Sequence, residues 1–237
     1  MNKKYSIGWD VGGWHCDKNK KSRDAIVILD SDLQIVGRPW RGNLRNSIND
    51  SVGSGEWLEA LFDLCKENAP RDAKFVMAID AVLGFSEEFL ELASGLKIPE
   101  KIGEFDTNPY LFRQTERHLF KRGLKPLSAI KDMIGSQATK GIHAVAKFTP
   151  DVESCGVWTD GDNLRVIETY PAGSIKEPAV RACIEGCKPL GHSDLDDARI
   201  CALVAYLFGT QISTLDAPPL GTSNREGWIW IPKQETK

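Results

Sequence analysis

The chain has 237 residues, 41% of them hydrophobic and 27% charged, with a formal net charge of −3. Those values fit one large α/β domain, or two small ones, with a proper buried core. They argue against a protein that coats nucleic acid over its whole surface, while leaving room for a local basic groove.

The start, MNKKYSIGWD, runs directly into a strand without an apolar leader, so no signal peptide is expected. No stretch reaches the roughly 18 apolar residues of a membrane span. A soluble, cytoplasmic protein is expected, and its six cysteines are then expected as reduced thiols. The spacing Cys183-x3-Cys187-x4-His192 is a loose zinc half-site, which buried or helix-surface cysteines explain better.

In chain order, residues 5–11 predict a strand broken by Gly12 and Gly13 and followed by a basic loop, DKNKKSRD. Strands over 25–29 and 33–38 complete a meander. Residues 43–55 read as loop. Trp57, Leu58, Leu61, Phe62, Leu64 and Cys65 recur at helical spacing over 56–68, and Pro70 ends that helix. The continuous apolar run 75–79 predicts a buried central strand. Residues 84–150 read as a helical insertion after the fourth strand, with helices over 85–94 and 109–122, and helix and loop over 128–145. Strands follow over 156–159 and 164–169, turned by Asp160-Gly-Asp-Asn, then a helix over 172–185. The long helix over 193–208 and a short strand over 227–232 complete a single domain, 1–237. Trp228 and Trp230 on that last strand suit either a core or a homodimer interface.

Carboxylates close these elements. Asp10 ends the first strand, Asp80 the fourth, and Glu168 the strand before TyrPro. Asp194 and Asp197 open the long helix on one face. Strand carboxyl ends are where α/β sheets build sites. Each acid also has a structural explanation. Asp10 and Asp80 suit turns, Glu168 suits the start of the next helix, and Ser193 with Asp196 suits a capping box. A buried carboxylate such as Asp80 is costly unless paired or metal-bound. If these acids converge, two hard cations held about 3.5–4 Å apart can drive phosphodiester hydrolysis. Oxygen-only donors suit Mg²⁺ or Mn²⁺.

Between Arg113 and Lys147 eight basic residues face two acidic ones, Glu116 and Asp132, giving +6 locally. Arg113, Arg117 and Lys121 repeat at i, i+4 and i+8, a stripe that suits a phosphate backbone or a solvated helix face. Lys18, Lys20, Lys21 and Arg23 form a second patch that is otherwise a hairpin tip. His15 reads as a surface residue.

The segments GWDVGG, AIDAVLGF, FRQTERHLF, ETYPAGS, DLDDARICALVAYL and EGWIWIP, in order along nearly the whole chain, resemble the domain-of-unknown-function 429 family, described as RNase H-like nucleases. The resemblance implies an RNase H-like α/β fold, a mixed five-stranded sheet flanked by helices. It implies catalytic Asp10, Asp80 and Asp197, with Glu168 and Asp194 as additional metal ligands, and a nucleic acid substrate. Arg113 and Glu116 match the family's R-x-T-E pattern, and Arg117 and Lys140 join them as expected substrate-binding residues. The chain departs from the family at AVLGF, where a proline commonly follows the aspartate. Two other classes share some features: an actin-like ATP-dependent phosphotransferase, which opens with a similar strand–Asp–Gly turn, and a non-catalytic RNase H-like binding module.

Overall fold

Alternation along the first strand sets the layers. In β1 (Lys3–Asp10), Ile7 and Trp9 point to one face, and Ser6, Gly8 and Asp10 to the other. The structure, a computed structural model, describes residues 3–234. In chain order β2 (Asp24–Leu29), β3 (Trp40–Gly42), α1 (Arg45–Asp50), α2 (Ser54–Leu64) and β4 (Ala73–Asp80) follow β1. The chain continues through α3 (Glu87–Gly95), α4 (Gln114–Lys121), α5 (Gly135–Phe148), β5 (Asp151–Ser154), β6 (Val157–Thr159) and β7 (Leu164–Glu168). It then forms α6 (Pro171–Ser174), α7 (Pro178–Ile184) and α8 (Ser193–Thr210).

The strands form one mixed sheet in the order β3-β2-β1-β4-β7-β6-β5. Strands β1, β4 and β7 run parallel, and every other pairing is antiparallel. The sheet has seven strands, not the five expected, because the hairpin β5–β6 extends it beyond β7. The expected strand over 33–38 is absent apart from a bridge between Leu29 and Ile35. Asp30 Oδ1 accepts the Asp32 and Gln34 N–H groups and tightens the turn there, and Gly37 bends the chain at φ +67°, so pairing with β2 resumes only at Trp40–Gly42. Residues 227–232 alternate as a strand does, but join the sheet only through the isolated bridge from Glu168 to Ile229, while Pro232 bridges to Leu215 outside it. Trp228 and Trp230 are buried in the core, donating to the carbonyls of Asp216 and Gly156, so neither offers an interface.

One face of the sheet packs on α2 and α5, with Trp57 stacked on Phe148 at 4.8 Å. The insertion's last helix therefore belongs to the main core. The other face packs on α8 through Ala198, Cys201, Ala202 and Ala205. That contact is backbone on backbone, since a Cβ at Gly8 would lie 1.8 Å from the Ala198 carbonyl oxygen and 2.4 Å from the Ala202 nitrogen. No helix among the described residues is long and apolar enough to cross a membrane. All six cysteines are free.

Replacing Gly8 by alanine should therefore force α8 off the sheet. Urea unfolding should show a loss of about 3 kcal/mol, at the upper end of overpacking costs. A change within 0.5 kcal/mol would contradict the close approach.

Candidate functional site

Asp10 and Asp80 are the last residues of β1 and β4 and are direct partners in the parallel register. Both carboxylates thus leave the same edge of the sheet side by side. Asp10 shares its face with Gly8, and Asp80 shares its face with Ala78, so both point toward α8. Asp197 precedes Ala198, the residue seated on Gly8, and so arrives above the pair. A cleft of about 210 Å³ opens here, lined by Asp10, Asp80, Glu168, Ser22, Gln137 and Tyr170 among others.

Asp10, Asp80 and Asp197 are half-buried. Within the described residues none of their carboxylates accepts a hydrogen bond or meets a cation, and each lies in the field of other acids. Burial, then Asp197 and Glu168, pushes the Asp80 carboxyl up to about 8. Burial, then Asp80, Asp194 and Asp197, holds Asp10 well above the ordinary carboxylate range. Asp197 is raised by burial and by Asp194 and Asp196. Among the described residues no three His, Cys, Asp or Glu side chains close into a metal cage. The donors nonetheless suit a hard cation: they are all oxygen and they repel one another. Magnesium in particular takes one or two carboxylates and fills its shell with water and substrate phosphate.

The remaining expected residues have other partners. Glu168 pairs in register with Ile79 and belongs to the opposite face of the sheet. There it accepts from the Leu83 N–H at 2.9 Å and from Arg113 Nη1 and Nη2 at 2.9 and 2.6 Å. Arg113 is fully buried rather than displayed on a helix face. Its Nε donates to Glu116, Nη1 to Glu168 and the Glu226 carbonyl, and Nη2 to Glu116 and Glu168. All five guanidinium N–H groups are spent, so Arg113 and Glu116 hold the wall of the cleft and have nothing left for a phosphate. Because Arg113 turns inward at the start of α4, the expected stripe reduces to Arg117 and Lys121, which line an open groove.

Lys140 is also withdrawn. It is fully buried in an ion pair with Asp24 and a 3.1 Å bond to Asn43. Asp24, in sequence only the last residue of a basic loop, accepts from Trp9 Nε1 and from the Gly12 and Leu44 N–H groups. It fixes the Gly12-Gly13 turn that follows Asp10. Its only sequence signal is a charge abutting the apolar run 25–29.

Asp194 is buried against Arg41 at 2.7 Å and accepts the Arg23 N–H at 2.9 Å, anchoring the basic loop to α8. The expected Ser193–Asp196 capping box is absent. His192 caps α8 instead, its Nδ1 accepting the Asp194 N–H, while Asp196 accepts from Leu190 N and Arg199. His15 is exposed, as expected, beside Arg45. A second acid missed from sequence is Glu226, whose carboxylate accepts the first N–H groups of α3 and α4, from Glu87 and Gln114.

Comparison with protein-family models, with curated proteins and with solved structures yields no match.

Two outcomes test this electrostatic picture. The folded Asp80 carboxyl binds its proton far more tightly than the ordinary value of 3.8, so its stabilising effect is complete below pH 3.8 and is lost as pH rises through about 8. Urea unfolding of metal-free protein should therefore show stability falling across that window, and Asp80→Asn should flatten the fall. Replacing Lys140 by methionine leaves Asp24 buried without its cation and should cost about 3–5 kcal/mol. Adding Asp24→Asn should recover part of that loss.

Proposed function

We propose that this protein is a divalent-metal-dependent nuclease with an RNase H-like fold, cutting phosphodiester bonds of nucleic acid at Asp10, Asp80 and Asp197. One observation carries the reading. The buried acids Asp24, Glu116, Glu168, Glu177, Asp194 and Glu226 all have hydrogen-bond or ionic partners, whereas these three half-buried carboxylates have no donor or cation beside them and sit among other acids, with Asp10 and Asp80 lining the cleft. Uncompensated charge at a cleft is the mark of a group kept for a ligand. The fold assignment draws support from the strand order β3-β2-β1-β4-β7, with β2 alone antiparallel to both neighbours, and from the acids closing β1 and β4 and heading α8. The hairpin β5–β6 is then an addition to that core.

Mg²⁺ or Mn²⁺ held by Asp10, Asp80 and Asp197 supplies Lewis-acid stabilisation of charge on the phosphoryl oxygens. Glu168 and Asp194 lie outside that donor set, because Arg113 and Arg41 already occupy them. The protein's own contribution is placement. The β1–β4 register fixes the Asp10–Asp80 pair, and the Asp24 hub shapes the turn beside it. Tyr170 lines the cleft near Asp80 with a phenol raised by burial and by that carboxylate, so it stays a neutral donor. The phosphotransferase alternative calls for two α/β domains around its site, whereas the described strands form one sheet.

Labelled single-stranded and duplex DNA and RNA, incubated with Mg²⁺ or Mn²⁺, should be cut by the wild-type protein. Asp80→Asn and Asp10→Asn should lose at least about 100-fold in rate, the scale of losing one transition-state contact. Absence of metal-dependent cleavage on all four substrates, or cleavage undiminished in Asp80→Asn, would overturn the proposal.

A further inference from the structure

We infer that the carboxylate cleft is served by a nucleobase-binding pocket, and that its substrate is single-stranded nucleic acid; the inference rests on the nuclease reading of the cleft. Three concavities adjoin in sequence. The cleft shares Pro126 and Leu127 with a second pocket of about 270 Å³. That pocket shares Asp106 and Phe120 with the open groove lined by Arg117 and Lys121. A strand lying along the three would pass from cationic side chains, over an aromatic pocket, to the carboxylates.

The middle pocket has the chemistry of a base site. Phe105, Phe112 and Phe120 line it, packed edge to face at centroid distances of 5.5 and 4.9 Å. Phe105 is 58% exposed, an unusual state for so large an apolar ring, and Leu127 on the shared wall is 55% exposed. Lys125 and Lys131 stand on the rim beside Asp106 and Asp132, Lys131 paired with Asp132 at 2.7 Å and its ammonium 5.9 Å from the Phe105 ring. Its volume falls just under the roughly 300 Å³ at which drug-sized sites begin, so it suits one planar ring rather than a larger ligand. Aromatic platforms flanked by cations are how sequence-tolerant single-strand sites hold bases. Bases of a duplex are stacked inside and reach such a pocket only after being flipped out.

The test uses full-length Asp80→Asn protein, so that binding is read without cleavage. Fluorescence anisotropy compares a short thymidine strand with an abasic strand of equal length. The base-bearing strand should bind about 5- to 100-fold more tightly, the scale of one stacked base. Adding Phe105→Ala, at an exposed position where folding is not at stake, should bring the two strands to parity, and Phe105→Trp should restore the preference. Equal binding of both strands to Asp80→Asn protein, or a preference that survives Phe105→Ala, overturns the base pocket while leaving the nuclease reading intact if the wild type cleaves. Failure to bind either strand, together with failure to cleave, overturns both.

Discussion

The backbone of α8 rests directly on the backbone of β1, and the rest of the site follows from that contact. Glycine at position 8 removes the one side chain that would hold them apart, and alanines at 198, 202 and 205 thin the helix's matching face. With the helix this close, its first turn can only overhang the carboxyl end of β1. Asp197 is therefore delivered above Asp10, and the parallel register of β1 with β4 sets Asp80 beside them. Three carboxyls are brought together as a by-product of tight packing, and burial among other acids raises the proton affinity of each.

Around that unbalanced centre the protein neutralises charge carefully. Arg113 meets two carboxylates and a carbonyl, Asp24 meets a lysine, an indole and two amides, and Asp194 takes an arginine and an amide. Each of these clusters joins segments distant in the chain, and the Arg113 cluster reaches the cleft through Glu168. Buried ion pairs of this kind add little net stability over apolar packing, but removing one partner is severe. Their value here is geometric: they fix the turn after Asp10, the loop that carries Ser22, and the wall formed by α4.

Much of this was legible in the residues. Asp10 and Asp80 sit where apolar runs stop, and run length and composition mark both the central strands and α8. The face of Glu168 was not legible. A period of two says that Glu168 sides with Val166 and Leu164, but only the pairing with β4 decides which helix layer they meet. Lys140 and Arg113 defeated the reading for a related reason. A basic residue on an expected helix looks solvated until a partner distant in sequence faces it, as Asp24 faces Lys140 and Glu168 faces Arg113. The strand expected over 33–38 failed on turn chemistry, since Asp30 and Gly37 spend those residues on reversing the chain.

The position of Glu226 bears on how the molecule is assembled. Its carboxylate ties down the starts of α3 and α4, and its carbonyl completes the shell of Arg113, yet it is synthesised about a hundred residues after all three. A nascent chain can lay down β1, β2 and β4 earlier, because all three have been made by residue 80. The segment between β4 and α5 meets Glu168 through Leu83 and Arg113, but the starts of α3 and α4 stay uncapped until Glu226 arrives. The wall beside Asp80 is thus expected to loosen when the tail of the chain is disturbed.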